Sequence, residues 1–95
     1  MPVSLTDVLV PSKDVAFREI DQEVVILDLD SGSYFGLNPV ASRAWALLLE
    51  RRTLKAVHAT LIQEYDVMAD QLERDLLDWA TRLHEKGLLR SEQGA

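Results

Sequence analysis

The side chains able to do chemistry are few, and their spacing excludes most of it. His58 and His84 lie 26 positions apart with no HxxxH or HxH pairing, so neither helical turn nor strand brings them together as metal ligands. Ser31, Ser33 and Ser42 lack a G-x-S-x-G setting and read as turn and cap residues. The glycines form no phosphate-cradling G-x-x-x-x-G-K or G-x-G-x-x-G run. Carboxylates do come in pairs, Asp28 with Asp30 and Asp75 with Asp78, but general acid–base work needs a pocket that so short a chain hardly encloses. Neither catalytic residues nor a metal or other cofactor are therefore expected, and the reading is that this is not an enzyme.

Two other groupings remain. The first is "SYFGL", where adjacent aromatics, Tyr34 and Phe35, are followed by Gly36 and Leu37. A strand of this kind at the edge of a sheet offers unpaired N–H and C=O groups, and such edges recruit peptide strands. The second is a strip on a C-terminal helix. With Leu72 placed at 0°, Asp75, Asp78 and Arg82 fall near about 300°, 240° and 280°, bordering Trp79, at roughly 100° per residue. On its own such a strip is a solvated face; beside an open strand edge it is the opposite wall of a groove.

Stepping along the chain, "VAFREI" and "EVVILDL" read as a hairpin around Asp21-Gln22. Both positions of a two-residue turn call for φ > 0, which Asp-Gln supplies poorly, so a longer loop is expected. "DSGS" turns the chain into "YFGL" as a third antiparallel strand, Tyr34 on one face and Phe35 and Leu37 on the other. Asn38 is a favoured N-cap and Pro39 suits the first helical position. The helix that follows carries Val40, Ala44, Leu47 and Leu48 at helical spacing and ends at Arg51-Arg52. Thr53 opens a second helix with Leu54, Val57, Leu61 and Ile62. A third runs from about Ala69 to Lys86, with Leu72, Leu76, Trp79 and Leu83 as its stripe and Gly87 as its stop.

The expected architecture is α+β and winged-helix-like: a three-stranded antiparallel sheet followed by a three-helix bundle. The expected organisation is a flexible N-terminal arm over residues 1–13, one domain over 14–90 and a frayed tail over 91–95. With 95 residues, 47% of them hydrophobic and 27% charged, one modest core is all the chain can build. It has no cysteine, no apolar run of membrane-spanning length and no signal-peptide pattern, and is read as cytoplasmic, without membrane partners. A formal net charge of −6 disfavours a nucleic-acid partner. A winged-helix DNA-binding regulator, with the third helix in the major groove, is the competing reading, but that helix carries Asp70, Glu73, Asp75, Asp78 and Glu85 against Arg74, Arg82 and Lys86. A homodimer formed through the open edge is a further possibility.

In order along the chain, "VAFREIDQEVVILDLDSGSYFGLNPVASRAWALL", "TLKAVHATLIQEYDV" and "RDLLDWATRLHEKGLL" resemble the pyrroloquinoline quinone synthesis protein D family, the PqqD-like peptide chaperones also called RiPP recognition elements. The likeness covers about Val15 to Leu89. Its most specific pieces are Gly32 to Trp45, the "EYDV" joint and Gly87-Leu88. The resemblance implies a domain that binds the leader of a ribosomally made precursor peptide by adding it as a strand to the third strand, against the third helix. It implies hand-over to a modifying enzyme such as a leader peptidase or radical SAM enzyme. Carried over, the strand wall is Tyr34, Phe35, Gly36 and Leu37, and helical angle gives Asp75, Asp78, Trp79 and Arg82 as the helix wall. The general likeness is to the free-standing proteins of lasso-peptide clusters, with a carrier for pyrroloquinoline quinone biosynthesis as the alternative. Relatives tend to open the third helix with Asp and Pro, where this chain has Met68-Ala69, so that helix is expected to start without a good cap.

Overall fold

The computed structural model describes residues 3–92. In chain order the elements are β1 (Val8–Pro11), β2 (Val15–Ile20), β3 (Glu23–Asp28), β4 (Tyr34–Gly36), α1 (Pro39–Arg51), α2 (Leu54–Glu64), α3 (Ala69–Glu85) and β5 (Leu89–Glu92). The α+β architecture agrees with the sequence reading: β2, β3 and β4 form a three-stranded antiparallel sheet, followed by three helices. The strand "YFG" is the fourth in chain order, because a strand precedes those the sequence pattern reveals.

That first strand corrects the expectation of a flexible arm over residues 1–13 and of a frayed tail from residue 91. β1 pairs antiparallel with β5, with Val8 opposite Glu92 and Pro11 opposite Leu89. Leu9 is buried and Leu9 N–H donates to the Arg52 carbonyl at 2.8 Å, while Lys55 N–H donates to the Leu5 carbonyl at 3.0 Å. Pro11 occupies the end of its strand, where a missing donor costs little, and Val3 and Leu9 bury enough apolar surface to hold the segment down. The remainder of the expected arm and tail, residues 1–2 and 93–95, lies outside the described residues.

The β2–β3 loop is a second correction. The register pairs Ile20 with Glu23, so the turn is the two-residue one that Asp21-Gln22 seemed unsuited to. Both residues are left-handed, with φ of 52° and 69°. The right-handed twist of the paired strands favours this turn type and overrides local preference. The next turn is built from side chains: Asp28 accepts from the Asp30 N–H and the Ser31 hydroxyl, and Gly32 takes φ 75° to bring the chain back as β4.

Each helix begins where the sequence places it. Asn38 Oδ1 accepts from Ala41 N–H at 2.8 Å and Thr53 Oγ1 from Ala56 N–H at 3.3 Å. Met68, at the N-cap position of α3, makes no side-chain cap, as the Met-Ala opening implies; His58 Nε2 instead ties α2 to the first residue of α3, donating to the Ala69 carbonyl at 2.9 Å. Gly87 ends α3 with Leu88 N–H bonded back to the Leu83 carbonyl, and Leu88 folds fully into the core.

The core joins the inner face of the larger sheet (Val24, Ile26, Leu37) to Ala44, Trp45 and Leu48 of α1, and continues through Leu54, Val57 and Leu61 to Leu72, Leu76, Ala80 and Leu83 of α3. Trp45 is almost wholly buried and meets the edge of Phe17 at a ring-centroid distance of 5.3 Å. Leu77, off the main stripe, is half-buried against this core. Arg43 and Glu64 clamp the start of α1 to the end of α2 through two hydrogen bonds of 3.0 and 2.6 Å, which hold the Glu64 carboxyl below its ordinary range.

The left-handed Gln22 gives a direct test of the turn. Gln22→Gly relieves a side chain from a conformation disfavoured by about 1 kcal/mol, and urea unfolding is expected to show a gain of roughly 0.5–1 kcal/mol; a loss would contradict the two-residue turn.

Candidate functional site

β4 is one of the two edge strands of its sheet, and the one that lies beside α3. In the strand order β2-β3-β4 only β3 pairs with it. Asp28 N–H bonds the Ser33 carbonyl at 2.9 Å and Leu37 N–H bonds the Val24 carbonyl at 2.8 Å, so Ser33, Phe35 and Leu37 direct their backbone groups toward β3. The alternation leaves the N–H and C=O of Tyr34 and Gly36 pointing out of the sheet.

What lies beyond that edge is α3. The strand's inward side chains and the helix enclose a cleft of ≈ 250 Å³ whose walls are Phe35, Gly36 and Leu37 on one side and Trp79, Arg82 and Lys86 on the other. A second recess of ≈ 220 Å³, largely apolar, continues from it past Val40 and Val67 toward Leu72 and Asp75. The two share Asn38, Ala41 and Trp79, so they form one trough along β4 and the first turn of α1.

Ser42 ties the end of β4, beside this trough, to β3 and α1. It is a polar side chain buried to 3% exposure, and its Oγ accepts from Val24 N–H at 2.7 Å while its O–H donates to the Leu37 carbonyl at 3.1 Å. Leu37 and Val24 thus share one direct ladder bond and one relayed through a hydroxyl. The strands part at that point, and the chain leaves β4 to start α1 only a residue later.

Of the expected site residues, Phe35, Gly36, Leu37, Trp79 and Arg82 line the first cleft, and Asp75 and Trp79 the second. Tyr34 does not share the wall: it is 71% exposed and its side chain opens on the opposite face of the sheet. Asp78 also lies off the trough lining; it holds Arg82 in an i,i+4 ion pair of 2.7 Å and bears on the site through that partner. Trp79 is half-buried against the core, with an indole N–H that has no acceptor among the described residues. Asp75 accepts from Gln71 Nε2 at 2.8 Å.

Three contributors escaped the sequence reading. Lys86 sits over the Phe35 ring, 5.4 Å from its centroid, and adds a second cation beside Arg82. The signal was present, since Lys86 follows Arg82 by four residues. Val40 and Val67 form the apolar end, each 46% exposed. Val67 carried no sequence signal, as it lies in an aperiodic joint. The trough is therefore cationic beside Phe35 and apolar, with one carboxylate, at the other end.

Comparison with known proteins places the chain. The family model for coenzyme PQQ synthesis protein D (PqqD) matches residues 23–89, and the chain belongs to this family of PqqD-like recognition elements. Two solved structures share its fold across nearly their whole length. One is TbiB1 in complex with the TbiA(beta) leader peptide, 39% identical, with a TM-score of 0.81 over 88% of this chain and 98% of that one. The other is a lasso peptide synthetase B1 complexed with the leader peptide, 29% identical, with a TM-score of 0.81 over 87% and 98% of the two chains. Among curated proteins there is no significant match.

The hydroxyl relay is open to test. Ser42→Ala leaves the buried Val24 N–H without an acceptor, and chemical denaturation is expected to show a loss of about 1–3 kcal/mol. Unchanged stability would mean that the strand–helix junction does not depend on it.

Proposed function

We propose that this protein is a non-catalytic carrier that binds the leader of a ribosomally synthesised precursor peptide by β-strand addition to β4 and presents it to a modifying enzyme. The observation that carries the reading is the free β4 edge set beside the α3 trough. Membership of the PqqD family supports it, as do solved relatives that hold leader peptides. Two N–H and two C=O groups are available at Tyr34 and Gly36, and at about 0.5–1.5 kcal/mol each they supply a general affinity of roughly 2–6 kcal/mol. Side chains in the trough supply the choice of peptide: Phe35, Leu37 and Trp79 as floor, Arg82 and Lys86 at one end, Asp75 at the other.

The likeness to lasso peptide B1 proteins favours a lasso-type precursor over a pyrroloquinoline quinone precursor. The receiving enzyme is then a leader peptidase rather than a radical SAM enzyme, and the working place is the cytoplasm, where precursors are made. No helix among the described residues is long and apolar enough to cross a membrane. A homodimer formed through β4 would use the edge that binds the leader, so leader binding and dimerisation through β4 exclude one another.

Calorimetric titration with the leader of the precursor encoded beside this chain's gene tests the assignment. Arg82→Glu reverses a charge lining the trough on an exposed helical surface, and a loss of about tenfold in affinity or more is expected with the unfolding curve unchanged. Asp78→Lys, which removes only the ion-pair partner, is expected to weaken binding less. Equal affinity in wild type and Arg82→Glu would remove α3 from the site.

A further inference from the structure

The face of the larger sheet turned away from the helices carries a second recess. Side chains alternate along β4, so Phe35 and Leu37 turn in to the core and Tyr34 turns out. Tyr34, with Ala16, Arg18, Val25 and Leu27, bounds an outer recess of ≈ 220 Å³. Beside Tyr34 this face has a gap in its edge strand. Gly36 stands opposite Val25, and a Cβ added to it would meet nothing within 4 Å.

Register connects this gap to the bound peptide. Tyr34 and Gly36 are the residues whose backbone groups leave the sheet, so they are the ones an added strand bonds. Residues directly opposite one another in a sheet share a face. The peptide residues opposite Tyr34 and Gly36 therefore project onto the outer face, and only those between and beside them project into the trough. A large side chain opposite Gly36 can lean over the bare glycine onto Val25, as an aromatic neighbour covers a glycine in a sheet. Arg18 stands opposite Val25 on β2, and its stem extends the apolar floor.

We infer that the peptide is read on both faces of the extended sheet, with the outer recess taking a bulky apolar or aromatic side chain from the peptide position opposite Gly36. This rests on the strand-addition reading above and adds a specificity determinant outside the trough. Gly36 and Tyr34 choose this residue, while Phe35, Trp79, Arg82 and Lys86 choose its neighbours.

The test is selection of random short peptides, displayed on phage, against the full chain and two variants. Tyr34→Ser alters an exposed side chain and is expected to unfold within a few degrees of wild type, and Gly36→Thr fills open space in a strand and is expected to unfold at or above the wild-type temperature. Wild type is expected to enrich peptides with preferences at positions of both parities, alternating between the two faces. Gly36→Thr is expected to keep the trough-facing preferences and lose the large residue opposite position 36. Tyr34→Ser is expected to weaken the best wild-type peptide about fivefold. Preferences of one parity only would overturn the outer site and leave strand addition standing. Failure to enrich any peptide would overturn strand addition and the outer site with it. A change in sedimentation of the variants, with peptide preferences intact, would show a second copy on this face and overturn the inference.

Discussion

One buried hydroxyl joins the edge strand, its neighbour and the first helix. Ser42 relays a hydrogen bond from the Val24 N–H to the Leu37 carbonyl, replacing a direct rung at the point where β4 leaves its neighbour. One direct rung, from Leu37 N–H to the Val24 carbonyl at 2.8 Å, still joins the strands there, but no second one forms. The relay instead satisfies both backbone groups in an apolar surrounding, where an unpaired group is costly, and lets Asn38 cap α1 immediately. The relay stands where the short strand, the helix start and the trough meet, behind Leu37. It also fixes the aim of the edge, since Phe35 and Leu37 turn inward only while β4 keeps this register against β3.

Charge is arranged around that frame rather than through it. α3 buries a narrow stripe of Leu72, Leu76, Ala80 and Leu83 and holds Trp79 half-exposed beside it. The stripe supplies the packing energy, so the flanking positions are free to carry Asp75, Arg82 and Lys86 toward the trough without loss of stability. The Asp78–Arg82 pair is exposed on both sides, so it orients the guanidinium more than it stabilises the helix. The N-terminal segment acts from a distance. By pairing with β5 and bonding to the α1–α2 junction, it closes the end of the core away from the larger sheet.

Local patterns made most of this legible. Asn38-Pro39, Thr53 and Gly87 mark helix ends through backbone chemistry that acts within a few residues, and the α3 stripe repeats strongly enough to need no tertiary context. The strand edge was legible in outline, because Tyr34, Phe35 and Leu37 alternate. What the sequence hid was long-range. β1 is four residues long and gains its order from β5 and from Arg52, distant in sequence. Asp21 and Gln22 adopt left-handed conformations because the paired strands impose them. Ser42 looked like any helical serine, and its role appears only once Val24 and Leu37 are brought to it. Helical angle identified Asp78 as a wall residue, but a side chain's reach depends on its ion-pair partner as well as on its angle.

Four backbone groups face out of the β4 edge, and amide hydrogen exchange reads half of them directly. The N–H groups of Phe35 and Leu37 already bond to β3, whereas those of Tyr34 and Gly36 face outward. On addition of the leader, the account predicts strong new protection at Tyr34 and Gly36 and little change at Phe35 and Leu37. Saturating leader that leaves Tyr34 and Gly36 exchanging as before would contradict it, whatever side-chain contacts the complex made.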